Sequence, residues 1–248
     1  MRWSLVMIDL KNTFLLGHRG ARGEALENTL SGFEYAQNLK SSGLAGVEFD
    51  VQLSRDGQLI VFHDDTLERM CAQQSRLDQL NVSEIQRHHQ FGQPIITLPD
   101  IVSALNTYTY IELEVKTHSR TDYAKLVKAL MRDLIDSPLA NLPIVLTSFD
   151  VELHAHLQRS TFMRHIPRGL LIREPKLLKQ APNTALQLGC KQLGIHYPLL
   201  NREVIQHCHR YDLPVSAWTV NDIETIKQLI NWQVDVIITD YPSYLLLP

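Results

Sequence analysis

Short apolar runs that end in polar residues alternate along this chain with stretches of helical periodicity. Strand candidates are Phe14 to His18, Val47 to Leu53, Tyr110 to Lys116, Ile144 to Phe149, Gly169 to Ile172, Gln192 to His196, Val215 to Val220 and Val236 to Thr239. Helical spacing fills the gaps over Asn28 to Ser41, Pro99 to Asn106, Tyr123 to Asp136, Val151 to Gln158, Pro175 to Leu188, Arg202 to Tyr211 and Asp222 to Trp232. Strands joined through helices run parallel, because a parallel return needs a crossover of a dozen or more residues. Eight such units in 248 residues predict an α/β fold, a (β/α)8 TIM barrel spanning 1–248 as one domain. A doubly wound open sheet fits less well, since no Gly-rich phosphate loop follows the first strand.

One connection breaks the rule. Ser54-Arg55-Asp56-Gly57 is too short for a crossover, so Gln58 to His63 is expected as an antiparallel hairpin return. The residues that follow, about 65–98, are polar and irregular, with a helical piece around Val82 to His88. They are expected to form a small insertion after the second strand, beside the site.

Bulk properties exclude several classes of function. Net charge is -3 from 24 basic and 27 acidic residues, well mixed, with no Lys/Arg cluster suited to nucleic acid. No window approaches eighteen apolar residues, so no stable membrane insertion is expected. Cys71, Cys190 and Cys208 share no spacing and read as free thiols in a reducing compartment. Asp9 and Lys11 break the apolar N-terminal run and no small-residue cleavage site follows, so a signal peptide is not expected. The expected location is cytoplasmic.

Catalytic groups of a barrel come from the C-terminal ends of its strands. Here those ends carry His18 and Arg19, Glu48 and Asp50, Glu114 and Lys116, Ser148-Phe149, His196-Tyr197, Trp218-Thr219-Val220-Asn221 and Thr239-Asp240. Side chains alternate faces along a strand, so Glu48 and Asp50 share one face, as do Glu114 and Lys116. If both faces point into the barrel mouth, three carboxylates converge. Such hard oxygen donors suit Mg2+ or Ca2+ better than Zn2+. Spacing alone leaves a metal site and a set of ion pairs with Arg19 and Lys116 equally open. His18 and His63 end neighbouring strand segments and could serve as general base and general acid, or one could be a structural histidine bonded to a carboxylate such as Asp64. Arg19 and Lys116 could hold a phosphate. His88-His89, His154, His156, His207 and His209 lie on helical or loop segments without converging carboxylates and read as surface or interhelical residues. Trp218 could plug the barrel or wall a substrate.

Taken together, these segments resemble the glycerophosphodiester phosphodiesterase family. The matching stretches are His18-Arg19-Gly20, Glu27-Asn28-Thr29, Glu48-Phe49-Asp50-Val51, Asp56-Gly57, Val61-Phe62-His63-Asp64, Glu114-Val115-Lys116, Ser148-Phe149, Trp218-Thr219-Val220-Asn221 and Ile237-Ile238-Thr239-Asp240, in order along nearly the whole chain. Length and the lack of an expected signal peptide look most like the compact bacterial cytoplasmic members. The resemblance implies a (β/α)8 barrel with a small insertion after the second strand. It implies His18 and His63 as the acid/base pair, and Glu48, Asp50 and Glu114 as ligands of a divalent cation, Mg2+ or Ca2+, with Glu27 as a further ligand. It implies Arg19 and Lys116 on the phosphate and Trp218 on the alcohol side. The implied reaction is hydrolysis of a small-molecule glycerophosphodiester to glycerol 3-phosphate and an alcohol. A homodimer is compatible with it. Leu26 departs from the family, which often has proline before Glu-Asn-Thr.

Three rivals remain open at this level. A lysophospholipase D on the same scaffold would need an apolar track, and Tyr244-Leu245-Leu246-Leu247-Pro248 is the one short apolar end, expected to dock on the barrel. A non-catalytic phosphodiester-binding protein would leave the filled acid/base positions without use. A metal-dependent sugar-phosphate isomerase would not account for His18 and His63.

Overall fold

The computed structural model describes residues 9–247. Most of the apolar N-terminal run therefore lies outside the described residues. Eight parallel strands form the barrel: β1 (Phe14–His18), β2 (Gly46–Leu53), β3 (Tyr110–Val115), β4 (Ile144–Ser148), β5 (Arg168–Ile172), β6 (Gln192–His196), β7 (Val215–Trp218) and β8 (Val236–Thr239). Each pairs with its sequence neighbour, and β8 pairs with β1 to close the sheet. The expected barrel is therefore present. The strands match their sequence-predicted spans to within two residues, because each apolar run is short and ends where polar groups take over.

Helices between the strands cover the outer face. Thr29 caps the first of them, Leu30–Asn38, by accepting a hydrogen bond from the Gly32 amide. Phe33 of that helix meets Phe49 of β2 edge to face at 5.3 Å. Val47, Phe49 and Val51 thus bury against helices, while Glu48 and Asp50 on the same strand turn inward. This is how one sequence run combines an apolar outside with a charged inside. At the chain's other end, Leu245 and Leu246 are buried in the main core, as expected, while Tyr244 and Leu247 stay exposed.

The hairpin return is Leu59–Val61, antiparallel to β2. Gly57 turns it with φ of +83°, a conformation that side chains disfavour. The insertion then holds short helical turns at Glu68–Cys71, Leu77–Gln79 and Val82–Ile85 and a two-stranded ladder, His89–Gln90 with Gln93–Pro94. It is more ordered than its polar composition suggests, because Phe62, Leu67, Met70, Leu77, Ile85 and Ile95 form an apolar cluster separate from the main core. Among the described residues no helix is long and apolar enough to cross a membrane.

Candidate active site

The site begins in the turn after β1. Arg19 has φ of 51° and Gly20 has φ of 92°, so the chain folds back sharply over the strand end. Gly17 permits this: a Cβ there would stand 1.8 Å from the Gly20 carbonyl oxygen. A left-handed arginine costs roughly 1–2 kcal/mol. That cost is offset by bonds the conformation allows. The Arg19 amide donates to Glu48 Oε2 at 3.2 Å, and the guanidinium reaches Glu27 at 2.7 Å and Asp50 at 3.2 Å.

Strand register assembles the carboxylates. His18 aligns with Glu48, Glu48 with Glu112, and Asp50 with Glu114. One oxygen from each of Glu48, Asp50 and Glu114 lies within 4.8 Å of the others. Lys116 Nζ stands 2.9 Å from Asp50 and 2.6 Å from Glu114. Burial, followed by the charges of Asp50 and Glu114, pushes Glu48 well above the ordinary carboxylate range. Burial also raises Glu114, against the pull of Lys116. Asp50 is buried too, yet Lys116 and Arg19 hold it below the ordinary range. The cluster is thus short of positive charge, and its all-oxygen donor set fits a hard divalent cation.

The two histidines flank this cluster. His18 Nδ1 lies 2.6 Å from Asp240 Oδ1, and its Nε2 lies 3.7 Å from Glu48 Oε2. His63 Nδ1 lies 2.7 Å from Asp64 Oδ1. A carboxylate at Nδ1 favours the tautomer protonated there and leaves Nε2 as the working atom. Burial lowers the pKa of both imidazoles, opposed at His18 chiefly by the hydrogen bond to Asp240 and at His63 chiefly by the charge of Asp50.

The mouth divides into two spaces. An inner one of about 30 Å³ is lined by His18, Glu48, Glu112, Glu114, Thr147 and Trp218, among others. An outer one of about 540 Å³ is bordered by His63, Asp64, Lys116, Phe149, Arg173 and Leu177, among others. Trp218 stands at the rim against Phe149 and His196, with ring centroids 5.5 and 5.1 Å apart.

Of the residues expected from sequence, His18, Arg19, Glu48, Asp50, His63, Glu114, Lys116 and Trp218 meet at this one end of the barrel. Glu27 comes close but lies apart from the three-carboxylate cluster. It is held by Arg19 at 2.7 Å and by Arg69 at 2.7 Å, with Arg22 at 3.8 Å. Four further participants carry no site role in the sequence reading beyond the pairing of a histidine with Asp64, and Arg69 does not figure in it at all. Asp240 and Asp64 hold the histidines. Asn28 donates to Asp50 at 3.0 Å. Arg69, from the insertion, grips Asp64 at 2.6 Å as well as Glu27. Asp64 had a signal in its adjacency to His63. Asp240 had one in the closure of β8 onto β1. Nothing local marks Arg69.

Comparison with known proteins agrees with this geometry. The model of the "Glycerophosphoryl diester phosphodiesterase family" matches residues 18–244. A glycerophosphodiester phosphodiesterase of Bacillus altitudinis is 28% identical over 246 residues, covering 93% of this chain and 96% of that protein. Its counterpart in Caldanaerobacter subterraneus subsp. tengcongensis is 27% identical over 244 residues, covering 94% and 96%. Among solved structures, an Oleispira antarctica phosphodiesterase in complex with its product sn-glycerol-3-phosphate superposes with a TM-score of 0.84 at 24% identity, over 94% of each chain.

Proposed function

We infer the reaction from one premise: this chain belongs to the glycerophosphoryl diester phosphodiesterase family. It is a glycerophosphodiester phosphodiesterase, and its substrates are glycerophosphodiesters cleaved to glycerol 3-phosphate and an alcohol. The observation that carries the mechanism is the pair of histidine–carboxylate dyads, His18–Asp240 and His63–Asp64, on either side of three converging carboxylates.

With Nδ1 of each ring tied to its carboxylate, Nε2 is the atom free to move a proton. One histidine takes a proton from the attacking hydroxyl, and the other gives one to the leaving alcohol. Burial favours the neutral form in both, which suits the base and makes the partner a strong acid once protonated. Lys116, at the edge of the outer space, and Arg19 behind it bring positive charge to the phosphate. Glu48, Asp50 and Glu114 would hold a divalent cation, Mg2+ or Ca2+, which supplies Lewis-acid stabilisation of phosphoryl charge when bound. Glu27, as its geometry stands, acts by holding Arg19 rather than as a further ligand. Trp218 and Phe149 wall the alcohol side.

The test is glycerol 3-phosphate release from glycerophosphocholine by a coupled dehydrogenase assay. Release should stop with EDTA, return with Mg2+ or Ca2+, and fall about 10²–10⁴-fold in His18→Ala and in His63→Ala. Full activity in either variant overturns the acid/base assignment, and activity indifferent to EDTA overturns the cation.

A further inference from the structure

Arg173 follows directly on β5 and stands at the rim of the outer space. Its guanidinium carbon lies 4.2 Å from the centroid of Phe149 and 6.0 Å from that of Trp218. It therefore occupies the aromatic surface on the alcohol side, where a cationic ligand group would otherwise rest. The other charged groups lining that space are already matched. Lys116 is paired with Asp50 and Glu114, and Asp64 is held by His63 and Arg69. Asp65 meets Arg76 at 3.4 Å, and Glu174 meets Lys176 at 2.7 Å. Among the described residues, Arg173 has no carboxylate within salt-bridge distance. The rim thus offers one uncommitted cation, fixed against two rings, with its hydrogen-bonding edges available.

We propose that Arg173 is a specificity-determining residue that selects glycerophosphodiesters whose leaving alcohol carries an oxyanion of its own. This rests on the hydrolase reading above and narrows its substrate class. A guanidinium fork receives an oxyanion through two parallel charge-assisted hydrogen bonds. Stacking on Phe149 holds the fork in place before the ligand arrives, so less side-chain freedom is lost on binding. A trimethylammonium head group meets the opposite situation: the aromatic face is covered, and the covering group has the same sign of charge. A neutral polyol lies between the two.

Three substrates differing in the charge of the alcohol test this: glycerophosphoinositol 4-phosphate, glycerophosphoinositol and glycerophosphocholine. kcat/KM should fall in that order, with about tenfold between the first and the last, the worth of one charge-assisted hydrogen bond. Most of the difference should lie in KM, since the contact is remote from the reacting phosphorus. Arg173→Gln should bring the three values close together, Arg173→Lys should restore part of the order, and Arg173→Glu should invert it. A wild-type preference for the choline ester, equal rates on all three, or an order unchanged in Arg173→Gln overturns the inference while leaving the hydrolase reading intact. No hydrolysis of any of the three overturns the hydrolase reading and this inference with it.

Discussion

The two histidines do similar work from different supports. His18 stands on a barrel strand, and its partner Asp240 follows the strand next to it across the closing seam. The imidazole is nearly covered, with 12% of the side chain exposed. His63 stands just past the hairpin return, 33% exposed, and its partner is the next residue in the chain. What fixes Asp64 is Arg69 of the insertion, which also grips Glu27. One dyad is therefore a product of sheet closure, and the other of a local segment pinned by a peripheral arginine. Sheet closure leaves little freedom, because β1 is hydrogen-bonded on both sides. The His63 side depends on a small satellite core and an ion-pair chain that solvent reaches. The lesson is that catalytic symmetry does not require structural symmetry, and that the two supports should fail differently.

Removing each support separately sharpens the contrast. Asp240→Asn should lower kcat by about 10²–10⁴-fold, because the amide no longer fixes the working tautomer of His18, with KM little changed. Arg69→Met should cost about tenfold, since Asp64 still reaches His63 by adjacency. A larger loss in Arg69→Met than in Asp240→Asn would break the comparison. Arg69→Lys should recover part of the loss, because it keeps the charge without the fork that spans Asp64 and Glu27.

A smaller effect separates the dyads by sign. Asp240 raises the pKa of His18 against the lowering by burial. Without that charge the His18 pKa should fall further, and whichever limb of kcat/KM His18 sets should move to lower pH in Asp240→Asn. Arg69→Met leaves Asp64 without its guanidinium, so the whole carboxylate charge acts on His63. The His63 pKa should rise, and whichever limb of kcat/KM His63 sets should move to higher pH. Because one histidine is the base and the other the acid, the two variants should move different limbs of the profile, and both variants moving the same limb would break that division of roles.

The fold and most of the site could be read in the sequence for different reasons. Barrel strands are short, apolar and regularly spaced, so the alternation carries them. Glu48 with Asp50, and Glu114 with Lys116, could be grouped because residues two apart share a strand face. Partnerships between elements were harder to read. Asn28 meets Asp50 only because its backbone turns left-handed, with φ of 52°. Arg69 sits in a segment whose order comes from scattered apolar residues such as Leu67, Met70, Leu77 and Ile85 rather than from any period. The resemblance placed Glu27 beside the cation, and no sequence pattern announced the arginines that surround it.

Closure of β8 onto β1 also sets when the protein can act. Asp240 lies 222 residues beyond His18, and contacts so distant in sequence form only after the intervening chain has been ordered. During synthesis the first strand emerges long before the eighth. The carboxylates come from β2 and β3, in the first half of the chain, whereas the partner that orients His18 comes from its end. Full turnover thus depends on the seam between the first and last strands, which brings Asp240 to His18.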